Sequence, residues 1–136
     1  MIYHRTIPIE FNHCDPAGIV FYPRYLEMTN SVVENFFADV AGQSFAAMMA
    51  AREGVPTAKL EVAFHAPSRL GERLDWRLAV TRLGRSSLAL RIEGWAAAPR
   101  LTVDLTVVRV GPEGRPLAWE PAMRARLVAF MEADDA

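Results

Sequence analysis

The sequence predicts an α+β domain in which an antiparallel sheet buries one face against a helix. Segments in the second half of the chain alternate apolar with polar or small residues, which is typical of strands. A segment near the N-terminus repeats its apolar residues every three or four positions, which is typical of a helix. With 136 residues and 51% hydrophobic composition, the chain is predicted to form one domain, 1–136, around one core.

The first predicted element is a strand that runs from residue 3 to residue 11. Ile7, Ile9 and Phe11 fall on one of its faces. Pro8 has no N–H to donate, so it is expected where the sheet needs no hydrogen bond. The segment 12–18, with its Asn, Asp-Pro and Gly, predicts a loop.

One long amphipathic helix is predicted next. Pro23 suits a first helical turn, apolar residues recur at helical spacing as far as Val40, and Gly42 can end the helix. Ser44 can cap a second, shorter helix that continues to Gly54.

Four strands and a terminal helix complete the prediction. The connections between the strands have hairpin length, so neighbouring strands are expected to be antiparallel. Pro121 to Met131 predicts the terminal helix, with Asp134 and Asp135 as solvated charges after it. The alternating apolar residues of the four strands are Leu60, Val62 and Phe64; Leu74, Trp76, Leu78 and Val80; Leu88, Leu90 and Ile92; and Leu101, Val103, Leu105 and Val107.

The apolar surface of these strands exceeds what one helix can cover. Trp76 and Trp95 add to it. A homo-oligomer with closed symmetry is therefore expected.

Composition limits the possible functions. A net charge of -1 disfavours a nucleic-acid binder, although nearly all the basic residues are Arg, which suits phosphate groups. Cys14 is the only cysteine, so no internal disulfide is expected. No signal peptide or membrane-length apolar run occurs, which favours a cytoplasmic protein without membrane contact. The three histidines lack metal-ligand spacing, so neither a metal nor another cofactor is expected.

Asp15 is the candidate catalytic residue. It precedes a predicted helix start, where free N–H groups and the helix dipole can stabilise an anion. A carboxylate there could attack a thioester carbonyl or activate water. On spacing alone, an ordinary turn or cap before Pro16 explains Asp15 better than catalysis does.

The string from His13 to Tyr25, HCDPAGIVFYPRY, resembles the signature of the 4-hydroxybenzoyl-CoA thioesterase family. The resemblance extends to Glu34–Phe37, to chain length and to the order of elements. It implies a hotdog fold, in which a five-stranded antiparallel sheet wraps around one long helix. It also implies dimers assembled into a tetramer, and hydrolysis of an acyl-CoA or aryl-CoA substrate.

The resemblance assigns roles to individual residues. Asp15 matches the catalytic carboxylate, and Tyr22 matches the residue whose backbone N–H stabilises the oxyanion. Gly18 matches a glycine that lets the substrate approach, although turn geometry alone would also require it. Asn30 stands where family members active on 4-hydroxybenzoyl-CoA carry an Asp that contacts the ring hydroxyl. An Asn can still bind a hydroxyl there, or it can be an ordinary polar residue of the helix surface.

Further residues match substrate-contacting positions. Phe45 matches an aromatic residue of the acyl site, although core packing explains it nearly as well. Arg85 retains charge where the family binds nucleotide phosphates, and Arg82 can compensate for other basic residues that are absent. The stretch that matches the contact with the pantetheine arm is Val55, Pro56 and Thr57.

The expected reaction is hydrolysis of an acyl-CoA thioester, most simply an aromatic one. The alternatives are a thioesterase for aliphatic acyl-CoA or acyl carrier protein, and a non-catalytic acyl-binding subunit. A Cys14–His13 nucleophile is not expected, because side chains of adjacent residues in an extended segment point apart.

Overall fold

The computed structural model describes residues 1–133, so the predicted charges Asp134 and Asp135 lie outside the described residues. The elements in chain order are β1 (Tyr3–Pro8), α1 (Tyr22–Phe36), α2 (Phe45–Ala50), β2 (Thr57–Phe64), β3 (Arg73–Leu83), β4 (Ser87–Ala96), β5 (Ala98–Val108) and α3 (Pro121–Glu132).

The five strands form one antiparallel sheet in the order β1-β3-β4-β5-β2. The predicted alternation in β3, β4 and β5 is confirmed, because the apolar residues of these strands share one face that is buried. Pro8 lies in β1, an edge strand, as its missing N–H requires. The fully buried residues of this face include Leu74, Trp76, Leu78, Leu88, Ile92, Leu101 and Val103.

The predicted long helix is only partly confirmed. The regular α-helix α1 ends at Phe36, and residues Phe37–Ala41 form a π-helical turn before Gly42, whose φ is +89°. The wider turn accompanies the burial of two consecutive large side chains. Phe36 packs edge-on against Phe130 of α3, and Phe37 packs against Trp119.

The two shorter helices are confirmed with different bounds. The Ser44 hydroxyl accepts a hydrogen bond from the Ala47 N–H, which is the predicted cap, but α2 ends at Ala50 instead of continuing to Gly54. The terminal helix α3 begins at the predicted Pro121 and buries Met123 and Leu127. No helix within residues 1–133 has both the length and the apolar character needed to cross a membrane.

Two predictions of buried apolar residues are wrong. Phe11 begins a 3₁₀ turn, Phe11–His13, and its side chain is 83% exposed. Leu60 and Phe64 are exposed because β2 is the free edge strand beyond β5. Period-two alternation identifies a strand, but it does not reveal that a strand lies at the edge of the sheet.

The outer face of the sheet is polar, whereas the sequence predicted an apolar surface there that a second copy of the chain would cover. Trp76 belongs to the core, and the Arg77 guanidinium lies 4.1 Å from the ring centroid of Trp95. Arg91 and Asp104 form an ion pair on the same outer face. Any apolar contact surface must therefore lie elsewhere.

Candidate active site

The loop before α1 is closed by a short antiparallel bridge between Cys14 and Val20. Within it, the Asp15 N–H donates to the Ile19 carbonyl at 2.9 Å and the Gly18 N–H donates to the Asp15 carbonyl at 3.0 Å. Gly18 has a φ of +80°, a conformation that favours glycine. The loop therefore holds Asp15 close to the start of α1.

The Asp15 side chain is half-buried and only partly engaged. Its Oδ1 accepts a hydrogen bond from the Ala17 N–H at 2.9 Å, which is the turn contact predicted for an Asp at this position. Within residues 1–133, Oδ2 accepts no hydrogen bond. One carboxylate oxygen is fixed and the other is available.

Tyr22 is the first residue of α1, and its backbone N–H has no hydrogen-bond partner in the described part of the chain. The next residue, Pro23, has no N–H, and the Arg24 N–H donates to the Phe21 carbonyl. The Tyr22 N–H is thus a free donor at the positive end of the helix dipole.

A pocket of about 390 Å³ lies between α1, α2, β2 and β5. Four predicted substrate-binding residues besides Asn30 line it: Phe45, Val55, Pro56 and Thr57. The Asn30 side chain also lines it, and Asn30 makes no side-chain hydrogen bond within residues 1–133. Sequence reasoning missed the remaining lining residues, which are Leu26, Thr29, Val33, Leu60, Leu105 and Val107.

The pocket begins one helical turn from the free N–H. Tyr22, Leu26 and Asn30 follow one another at four-residue spacing on one face of α1, and Leu26 and Asn30 line the pocket. Leu26 is about 6 Å further along the helix axis than Tyr22. Phe64 of β2 packs edge-on against the Tyr22 ring at 6.3 Å between centroids, so α1 and β2 meet at this end.

A buried polar network anchors the loop. The Tyr25 hydroxyl donates to Ser68 Oγ at 2.8 Å, and the Val20 N–H donates to the Ser68 carbonyl at 2.9 Å. Arg100 donates to both carboxylate oxygens of Glu72, at 3.0 and 2.7 Å. The hydrogen bonds from Arg100 and from the Arg69 N–H lower the pKa of Glu72 to about 2.

Sequence reasoning missed this network for a physical reason. Tyr25 and Ser68 are 43 positions apart, and no local pattern reveals such a pair. The one available signal is that a buried tyrosine hydroxyl needs a hydrogen-bond partner.

Arg85, which was predicted to bind the substrate, does not line the pocket that contains Asn30 and Phe45. It lies in the turn between β3 and β4, near the end of the sheet where β2 begins at Thr57. The Tyr22–Phe64 contact marks the opposite end of β2, about 23 Å away along the strand. Within one chain, Asp15 and Arg85 therefore lie near opposite ends of the sheet.

The neighbours of Asp15 have structural contacts. His13 Nδ1 accepts a hydrogen bond from the Glu10 N–H at 2.9 Å, and Cys14 Sγ lies 3.6 Å from the Glu10 carbonyl oxygen. Both contacts hold the 3₁₀ turn before the loop.

A model of one protein family, described as "Thioesterase superfamily", matches residues 36–103 of the sequence. The chain belongs to the thioesterase superfamily. The five-stranded antiparallel sheet with its helix is accordingly the hotdog-like fold of this superfamily. The matched segment begins at the end of α1, so it includes Phe45, the segment 55–57 and Arg85 but neither Asp15 nor Tyr22.

Individual members of the superfamily are similar to this chain. A 1,4-dihydroxy-2-naphthoyl-CoA hydrolase from Crocosphaera subtropica is 26% identical over 94 residues, which are 68% of this chain and 66% of that protein. The chain thus matches slightly less than two thirds of this relative's length.

Solved structures reproduce the fold of this superfamily member. A 1,4-dihydroxy-2-naphthoyl-CoA thioesterase from Synechocystis superimposes with a TM-score of 0.87 at 16% identity, over 98% of this chain and all of that one. A Staphylococcus aureus protein solved in complex with CoA superimposes with a TM-score of 0.90 at 12% identity, over 97% of this chain and 85% of that one. At these identities, the likeness concerns the fold.

Proposed function

We propose that the chain hydrolyses an acyl-CoA thioester to the free acid and CoA. One arrangement carries the proposal: the loop that leads into α1 holds a half-buried carboxylate with a free oxygen, and a free N–H at the start of α1 lies one helical turn before Leu26, which lines an apolar pocket. Family membership supports the same chemistry. The curated relative and the Synechocystis protein are both named for a CoA thioester substrate.

In the proposed reaction, the acyl group enters the pocket and the thioester carbonyl lies at the start of α1. The Tyr22 N–H donates to the carbonyl oxygen, and stabilises its negative charge as the carbonyl carbon becomes tetrahedral. Asp15 either attacks that carbon, forming an anhydride that water then cleaves, or removes a proton from an attacking water. In both routes one water is consumed and the thiol of CoA leaves.

We further propose that the acyl group is aromatic, as in 4-hydroxybenzoyl-CoA or a larger aryl ester. A cavity of about 150 Å³ can hold benzene, so the pocket of about 390 Å³ has room for a substituted ring or for two fused rings. The unpartnered Asn30 amide provides a donor and an acceptor for a ring hydroxyl. Structural neighbours include a gentisyl-CoA thioesterase, which also acts on a hydroxylated ring.

We also propose that the working unit is a homo-oligomer, built from dimers that pair their β2 strands. If two copies of β2 pair antiparallel about Leu60, Lys59 of each copy lies opposite Glu61 of the other, a favourable charge pairing. The same two-fold arrangement brings the turn that contains Arg85 in one copy towards the Tyr22 end of the other. Arg85 is exposed and could then contact the CoA phosphates.

The proposal is tested by following CoA release with a thiol reagent. The panel consists of 4-hydroxybenzoyl-, benzoyl-, phenylacetyl-, 1,4-dihydroxy-2-naphthoyl- and straight-chain acyl-CoA, with an acyl carrier protein ester as a further substrate. We expect aryl-CoA esters to have the highest kcat/KM. Faster turnover of straight chains or of the carrier-protein ester would reassign the substrate, and no release from any ester would indicate a non-catalytic acyl-binding subunit.

Asn30 is tested on the same panel. We expect Asn30→Leu to remove the preference for hydroxylated over plain benzoyl esters while benzoyl-CoA turnover continues, because a leucine cannot bind the hydroxyl. An unchanged ratio of the two esters would mean that Asn30 does not contact the ring.

A further inference from the structure

A second hollow adjoins the pocket that is proposed to hold the acyl group, the acyl pocket. It has a volume of about 270 Å³ and shares Phe45, Val55 and Pro56 with the pocket. The same three residues line both spaces, so they separate the pocket from the second hollow.

The second hollow is apolar. Besides the shared residues, Met48, Met49 and Gly54 line it, and the Met49 side chain is 77% exposed. Glu53 also lines it, but the Glu53 carboxylate accepts a hydrogen bond from Arg109 at 2.9 Å. A hydrocarbon chain would therefore meet thioether and aliphatic groups there.

Phe45 is the residue of the partition that can be removed with least disturbance. It is the first residue of α2, and its ring is only partly buried. The ring lies 6.0 Å from that of Phe37, centroid to centroid, on the core side. Val55 and Pro56, in contrast, belong to the chain segment that leads into β2.

We propose that Phe45 sets the length limit of the acyl group, and that the second hollow accepts the end of a long hydrocarbon chain once this ring is absent. The inference rests on the proposed thioesterase function. The Phe45 ring ends the pocket for an aryl or medium-sized acyl group, and its removal makes the pocket and the hollow continuous.

The test compares wild type, Phe45→Ala and the double variant Phe45→Ala/Gly54→Val for turnover of tetradecanoyl-CoA and benzoyl-CoA. A Cβ at Gly54 would meet only Pro56, at 3.9 Å, so the position has room for a side chain, and valine there is expected to reduce the second hollow. Met131→Ala, an exposed apolar residue of α3, is the matched control for loss of apolar surface. Phe45→Leu replaces Phe45→Ala if the alanine variant does not fold.

We expect Phe45→Ala to raise the kcat/KM for tetradecanoyl-CoA, relative to that for benzoyl-CoA, by about tenfold or more. The reason is that even one methylene bound in an apolar site can raise kcat/KM by about tenfold. Gly54→Val should reverse most of this gain, and Met131→Ala should leave the ratio unchanged. A ratio unaltered by Phe45→Ala, or a gain that Gly54→Val does not reduce, would overturn the inference.

The test of Phe45 and the test of thioesterase activity can fail independently of each other. Wild type that releases CoA from benzoyl-CoA supports the function whatever Phe45→Ala does. If wild type releases no CoA, the same comparison is made on the dissociation constants of the two esters by calorimetry. The ratio of these constants then decides the role of Phe45 without hydrolysis.

Discussion

Gly18 combines a backbone conformation that favours glycine with open space around its Cα. Its φ of +80° is costly for any side chain, yet a Cβ added there would meet no atom within 4 Å. The conformation therefore favours glycine, and the space next to its Cα is open. Turn geometry and close approach of a substrate are therefore compatible explanations of a glycine at this position.

Gly18→Ala should lower the free energy of unfolding by about 1 kcal/mol, because alanine is strained at this φ. Gly71→Ala is the matched control, since Gly71 has a φ of +91° and equally open space. Urea unfolding should show similar losses for the two variants. Only Gly18→Ala should also reduce kcat/KM. If the two variants have the same kcat/KM, Gly18 does not contact the substrate.

The segment between β2 and β3 connects the Asp15 loop to the rest of the fold. Ser68 accepts from Tyr25 of α1 and from Val20 of the loop, while Arg100 of β5 binds Glu72. Three elements distant in sequence therefore meet at residues 66–72. The length of this segment predicted a hairpin between neighbouring strands, but β2 and β3 do not pair, and local patterns gave no indication of its partners.

Tyr25→Phe should destabilise the protein by about 1–3 kcal/mol, because it removes the hydrogen bond that the Tyr25 hydroxyl donates to Ser68 Oγ in a buried site. Urea unfolding measures the loss. Ser31→Ala, which removes a partly buried hydroxyl that accepts from Arg5, is a control for loss of a hydroxyl contact elsewhere. A Tyr25→Phe variant no less stable than this control would contradict the anchoring role.

Glu72 should make stability depend on pH in the acid range. Its pKa falls from 4.5 to about 2 on folding, chiefly through Arg100, so its contribution is complete above about pH 4.5 and is lost as pH falls towards 2. Wild type and Glu72→Gln should therefore differ in unfolding free energy at pH 7, and the difference should shrink towards pH 3. A difference independent of pH would exclude the ion pair as its cause.

Arg109 fixes the segment that precedes Val55, a lining residue of the pocket between α1 and β2. Its side chain is 9% exposed and binds Glu53, Glu120 and the Ala118 carbonyl. Arg109→Met should cost about 3–5 kcal/mol, because the mostly buried Glu53 carboxylate loses its partner. Urea unfolding should show that the double variant Arg109→Met/Glu53→Gln recovers part of the lost stability. If Arg109→Met costs no more stability than Arg91→Met, which breaks an exposed ion pair, Arg109 does not have this role.

At the scale of the whole molecule, periodicity predicted the sheet and the helices because burial of one face leaves a direct trace in the sequence. The order of the strands leaves no such trace, so the edge position of β2 was missed. The motif around Asp15 predicted a local loop correctly. The separation of Asp15 from Arg85 follows from the complete topology, which no single segment encodes.

The exposed edge strand β2 is the surface through which two copies of the chain are proposed to pair. Glu61→Lys should place like charges opposite each other in the proposed β2 pairing and raise the dimer dissociation constant by roughly tenfold. The charge-swapped double variant Lys59→Glu/Glu61→Lys should restore association. Sedimentation equilibrium measures both, and a monomeric wild type, or dimers unaffected by Glu61→Lys, would contradict pairing through β2.

The most direct test of Asp15 as the catalytic carboxylate is the rate of CoA release from an aryl-CoA ester by wild type, Asp15→Asn and Cys14→Ser. We expect Asp15→Asn to lower kcat by about 10²–10⁴-fold, because the carboxylate that attacks or acts as the base is lost, while Cys14→Ser retains wild-type turnover. Asp15→Asn with turnover close to that of wild type would contradict the assignment of Asp15.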